Sequence, residues 1–285
     1  NSFLTETSWK EVQSVAIRYW KFFATIPGAF FDNMCASLPP LLLTYFFGDA
    51  ASGFYSLGHR ILALPLSVVG NSVSQAFLPE AKEAHQRGTL RPLCLRTMSL
   101  LLQVSCVPFL LLALVAPALI SFIFGSRWYV AGGYIKWMSA WLLIQFVYSS
   151  LSCIFTILER QQTYTVLNFF TLCIRFLSLV AGGIILKAPL AAIALCSLSG
   201  AAVSGFKCAY ILHLAGVHPG ETFSCFVQQL LHAILYAIPT LISLALIGQN
   251  MFSAVVAILS GCVFLLLEMK PILHSLQTIG NDKKN

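Results

Sequence analysis

The chain has 285 residues, of which 58% are hydrophobic and only 9% charged, and its formal net charge is +7. Soluble domains carry roughly a quarter charged residues, so ten acids and seventeen bases are too few to clothe a water-facing surface. This excludes a soluble enzyme, the apolar content excludes a disordered chain, and an all-α integral membrane protein remains.

The first element expected is a short interfacial helix. Residues 8–18 put Trp9, Val12 and Val15 or Ala16 on one helical face and Lys10, Glu11 and Gln13 away from it. The first 20 residues lack the charged, apolar and cleavage regions of a signal peptide. A bilayer core of about 30 Å needs roughly 20 apolar residues per helix. Eight segments meet this: 22–47, 53–78, 97–124, 134–158, 164–186, 190–212, 227–247 and 251–269. The connections are short. The most polar runs from Glu80 to Arg91, and another spans His213 to Cys225. Pro27, Pro39, Pro40, Pro65, Pro108, Pro117 and Pro239 fall inside these segments, which lipid-embedded helices tolerate where neighbours re-satisfy the freed carbonyls.

With eight spans both termini share one face. That face carries Lys10, Arg18, Lys21, Lys82, Arg87, Arg91, Arg160, Lys270, Lys283 and Lys284, against Arg127 and Lys187 opposite, with Lys136 just inside a span. The positive-inside rule puts both ends in the cytoplasm. The same asymmetry accounts for the net charge without nucleic-acid binding. Phe47-Gly48 and Phe124-Gly125 are each followed by a small-residue run ending in Tyr55 or Tyr134, so two similar turns are expected on the outer face.

Ionisable groups in hydrocarbon cost about 2.5–3.5 kcal/mol on insertion scales, so each needs a partner or a cavity. Asp32 and Asn33 lie in the first span; His59, Arg60, Asn71 and Gln75 in the second; Gln145 in the fourth; and Asn168 and Arg175 in the fifth. Arg60 and Arg175 are the candidates for a cationic cavity, since guanidinium binds phosphate bidentately and keeps its charge. Asp32, Asn33, His59, Asn71 and Gln75 are candidates for its lining. A structural pairing of Asp32 with either arginine is the competing reading, as is interhelical hydrogen bonding for Asn71, Gln75 and Gln145. Arg96, Lys207 and Glu268 are expected to snorkel to the interface. The last three spans are nearly free of central charges, so any cavity is expected among the first five, with the final pair facing lipid.

No catalytic centre is legible. There is no HExxH, no acid pair suited to a metal–diphosphate site, and no loop to host a nucleophilic triad. Nine cysteines sit in or beside apolar runs without CxxC or Cys/His ligand spacing. No enzyme, metal or cofactor is expected.

Several stretches resemble the bacterial polysaccharide-transporter family: Leu38 to Gly48, Ala50 to Gly70 with its Gly58-His59-Arg60, Gln75 to Ala81, Phe124 to Trp128, and Trp141 to Gln161. The family consists of exporters of lipid-linked oligosaccharide, including O-antigen and teichuronic-acid flippases, within the multidrug/oligosaccharidyl-lipid/polysaccharide superfamily. On its register the chain resembles a C-terminal half, helices seven to twelve plus two more, without an N-terminal lobe. That divides it into a lead-in (1–21), a six-helix lobe (22–215), a two-helix hairpin (216–270) and a cytoplasmic tail (271–285).

The resemblance implies alternating access, with a cationic cavity taking a prenyl diphosphate sugar head group from the cytoplasmic to the outer leaflet of a bacterial inner membrane. Its implied partners are that lipid-linked oligosaccharide, membrane lipids and the missing lobe. It also implies proton or monovalent-cation coupling, for which Asp32 is the best-placed acid, and a basic residue at the position of Arg60. A small-molecule exporter of the multidrug type and a non-transporting scaffold for polysaccharide synthesis are the alternative readings.

Overall fold

A computed structural model describes residues 25–65, 67 and 70–281. The expected interfacial helix over 8–18 and the last four tail residues lie outside the described residues. The described chain is helical, without strands. Its helices are α1 (Thr25–Phe47), α2 (Asp49–Pro65), α3 (Asn71–Arg87), α4 (Leu90–Phe124), α5 (Tyr129–Leu151), the single turn α6 (Ile154–Ile157), α7 (Gln161–Ala181), α8 (Pro189–Leu214), α9 (Pro219–Ile247) and α10 (Met251–Asn281).

Among the described residues six helical stretches are long and apolar enough to cross a membrane, the first Leu90–Phe124 and the last Met251–Glu268. The chain is therefore an all-α, multi-pass membrane protein. The two earlier segments are helical but less apolar. Helix α1 carries Asp32, Asn33 and the internal pair Pro39 and Pro40. The expected second span, 53–78, covers α2 and the first half of α3, with π-helical backbone at Ser67 and Gly70 between them. The physical reason is a run of small and polar residues, Ser67 and then Gly70-Asn71-Ser72. Gly70 also presses on α5: a Cβ there would stand 3.2 Å from the Phe146 ring.

Two expected loops are shorter than the sequence suggested. Helix α3 continues to Arg87, and only Gly88, at φ +73°, and Thr89 separate it from α4. The Gly88 amide closes α3 on the carbonyls of Ala84 and His85. Between α8 and α9 only residues 215–218 are non-helical, because His218 and Glu221 form a capping box that starts α9 early. Charged residues in these stretches lie on helical turns. At 35 residues, α4 is about 52 Å long, well over the bilayer core.

Helices α1, α2, α5, α8 and α7 close a ring, each packed on the next and α7 on α1. Helix α4 packs along α5, and the α9–α10 hairpin packs on α4. Glycine permits the closest crossings. A Cβ at Gly132 of α5 would overlap the backbone of Pro117 in α4, and one at Gly182 would meet Ala192 Cα at 2.5 Å. The two similar turns share one end of the bundle. Gly48 and Gly125 both adopt positive φ, at +83° and +94°. Phe54, after the first, packs edge-on to Trp128, after the second, at 5.4 Å. At the opposite end Arg91 of α4 pairs with Glu221 of α9 at 2.6 Å.

The core is mostly apolar, but the inward face of α7 is polar. The buried face of α7 is Asn168, Thr171, Arg175 and Ser178, while Val166, Phe170, Ile174 and Leu177 are exposed. In lipid there is no hydrophobic drive between helices, so small and polar residues hold them together while apolar ones face the chains of the bilayer. Helices α9 and α10 likewise expose Leu235, Ile242, Leu246, Leu259 and Leu266, as expected for a lipid-facing pair.

Candidate functional site

Two cations are sealed inside the five-helix ring. Arg175, about 21 Å along α7 at 1.5 Å per residue, is 5% exposed. Its Nη1 donates to the Cys35 carbonyl of α1 at 3.0 Å, and its guanidinium carbon lies 3.9 Å from the Trp141 ring centroid on α5. Lys207 of α8 is 1% exposed. Its Nζ donates to Asn168 Oδ1 of α7 at 3.2 Å and sits 4.2 Å from the Tyr148 ring centroid. Asn168 completes the link by donating Nδ2 to the Gly28 carbonyl of α1 at 3.1 Å. Each cation therefore rests on an aromatic face of α5 and ties to α1, one directly and one through Asn168.

The expectation that Lys207 snorkels is corrected. It lies only about two turns before the end of α8, but on that helix's buried stripe of Ser197, Gly200, Ser204, Lys207 and Ile211. The 3–4 spacing points it at α7 rather than at the interface. Glu268 also turns inward. It accepts hydrogen bonds from Gln103 Nε2 of α4 at 2.8 Å and Tyr236 OH of α9 at 3.1 Å, because these donors meet it in the hairpin seam. Gln145 serves as interhelical glue, accepting from Ser204 Oγ at 2.8 Å.

The remaining candidates lie on another surface. Arg60 is exposed, as are Asp32, Asn33, Asn71 and Gln75. Arg60 stands about 16.5 Å along α2 from Asp49, in the second half of that helix. Together with exposed Leu64 and Ser67, positions 60, 64, 67, 71 and 75 follow helical spacing through α2 and α3 and mark one outer face. On α1 Asn33 Nδ2 donates to the Ala29 carbonyl and Ser37 Oγ to the Asn33 carbonyl, both within their own helix. His59 is half-buried, with ring centroids 6.0 Å from Tyr55 and 6.3 Å from Trp141, and so adjoins both regions.

The structure separates the two arginines, placing Arg60 on the outer face of the ring and Arg175 in its interior. Asp32 forms no ion pair with either, although it stands close enough to act electrostatically on Lys207. The interior is rich in donors. Trp141 Nε1, Tyr148 OH and Arg175 Nε are buried without a hydrogen-bond partner. Among the described residues no cluster of three or more His, Cys, Asp or Glu side chains is arranged to hold a metal. The outer face offers a charge that can grip an oxyanion with two parallel N–H bonds, and the interior cations hold the wall behind it.

Residues 9–132 match the model of a family described as polysaccharide biosynthesis protein. The matched stretch includes Asp32, Asn33, His59, Arg60, Asn71 and Gln75 and stops before Arg175 and Lys207. No curated protein and no solved structure matches the chain.

Proposed function

We propose that the chain is a lobe of a flippase that moves a lipid-linked oligosaccharide, the precursor of a surface polysaccharide, from the cytoplasmic to the outer leaflet by alternating access. The observation that carries this reading is the set of exposed polar side chains on α1, α2 and α3, namely Asp32, Asn33, Arg60, Asn71 and Gln75. Such a set is costly against lipid, whereas α7, α9 and α10 expose apolar side chains. It is suited to an aqueous cavity, with Arg60 receiving the diphosphate of the head group while the prenyl chain stays in the bilayer. The match to a polysaccharide biosynthesis family over the same helices supports the pathway.

On this reading the protein is a transporter rather than an enzyme. It resides in the cytoplasmic membrane of a bacterium with both termini in the cytoplasm, and a second lobe completes the cavity. Transport is coupled to a proton or a monovalent cation. The test is surface glycan in cells that depend on the intact transporter. Arg60→Ala is expected to abolish surface glycan and leave protein abundance unchanged. Wild-type glycan in that variant would remove Arg60 from the site.

A further inference from the structure

A cavity of about 420 Å3 lies between α4, α5, α8 and α9, apart from both the cation cluster and the outer polar face. Met98, Ile144, Gly205, Phe223 and Phe226 are among its walls, and Thr222 is the one polar residue that lines it. Volumes of roughly 300–1,000 Å3 are those of ligand pockets. Gly205 helps to create the space, since a Cβ there would meet nothing within 4 Å. The cavity reaches the protein surface at Pro219 and Phe223, both exposed.

Two observations indicate what fills it. Its walls give water almost nothing to bond, and a buried water needs two to four polar partners. Left empty, it would cost its lining the contacts that hold a close-packed interior together. Hydrocarbon meets both conditions, and these helices stand in hydrocarbon. The cavity also lies at the end of the bundle that carries exposed Lys82 and Arg160, beside Arg87 and Arg91, which pair with Glu83 and Glu221. Arg91 reaches α9 at Glu221, the residue before Thr222. Basic residues at a membrane surface attract anionic lipid.

We infer that the cavity holds one acyl chain of an anionic phospholipid from the leaflet at the basic end. The occupant is a resident lipid of the lobe and not the transported one, so the inference stands apart from the flippase reading.

The test uses the full chain, purified in mild detergent and examined by native mass spectrometry after exchange into micelles doped with palmitoyl-oleoyl phosphatidylglycerol. The wild-type protein is expected to retain one phosphatidylglycerol. Gly205→Leu, which fills the cavity from a position with room for a side chain, is expected to weaken retention by about tenfold or more. Added phosphatidylglycerol should raise the melting temperature of the wild type and not that of Gly205→Leu. Equal retention by wild type and Gly205→Leu, retention of none by the wild type, or preferential retention of a polyprenyl phosphate would each overturn the inference. None of these readouts depends on whether the protein transports anything.

Discussion

The guanidinium carbon of Arg175 stands 3.9 Å from the centroid of the Trp141 ring, so a cation on α7 is held by the face of an aromatic side chain on α5. This contact substitutes for the carboxylate that a buried arginine normally requires. The ring's negative face supplies the counter-field and the Cys35 carbonyl supplies an acceptor. A desolvated cation–π contact is worth about 2 kcal/mol or more. Trp141→Leu loses that contact and leaves a void, and is expected to destabilise the bundle by about 2–4 kcal/mol. Thermal unfolding in detergent, with Trp128→Leu as a control outside the ring, measures it. An unchanged melting temperature would show that the contact carries no weight.

Lys207 and Asn168 should behave unequally. Lys207→Met removes a buried charge while keeping most of the side-chain volume, and such replacements are often neutral or stabilising. Asn168→Leu leaves the ammonium without its acceptor and the Gly28 carbonyl without its donor, a loss of about 1.5–3 kcal/mol for a hydrogen bond to a charged group. The double variant should recover part of that loss. A Lys207→Met variant less stable than Asn168→Leu would contradict the arrangement.

Glycine substitutions separate contact from open space. Gly132→Ala drives a methyl group into the α4 backbone at Pro117 and should cost about 1–3 kcal/mol. Gly53→Ala meets nothing within 4 Å and adds helix propensity, so it should leave stability unchanged or raise it. Melting temperatures of the two proteins, measured side by side, decide the matter.

Much of this was legible in the sequence. Hydropathy alone marks the helices from α4 onward, and the paired Phe-Gly turns are where the repeated motif puts them. The face of each polar residue was not legible. Lys207 lies near a helix end, which suggests snorkelling, but the spacing of Ser197, Gly200 and Ser204 before it sets a buried stripe. That small-residue rhythm was the signal available for it. Asn168 and Arg175 could be placed in a span, but only their partners on α1 reveal which cation each helix holds. The π-helical backbone at Ser67 and Gly70 is not legible because apolarity averages over Ser67, Gly70 and Asn71.

Water should reach the outer face of α2 and α3 if it borders a cavity. Asn71→Cys and Gln75→Cys are expected to react with a membrane-impermeant maleimide. Leu177→Cys, 63% exposed on the apolar face of α7, is expected to stay unlabelled. Labelling of all three at equal rates would place the polar stripe outside any aqueous path.

The α9–α10 hairpin joins the rest of the chain through residues 215–218 and docks chiefly on α4. Its side-chain hydrogen bonds and ion pairs to α4 include Arg91 to Glu221, Gln229 Nε2 to Ser99 Oγ at 3.2 Å, Gln103 to Glu268, and Gln249 Nε2 to the Leu114 carbonyl at 3.3 Å. Hydrogen bonds of this kind in bilayers average about 0.6 kcal/mol each, enough to choose a docking position but not to fuse two bodies into one. The turn at Gly216 is therefore a seam. A gene cut there would yield two polypeptides able to find one another in the membrane, and an insertion there would lengthen a hinge without disturbing either piece.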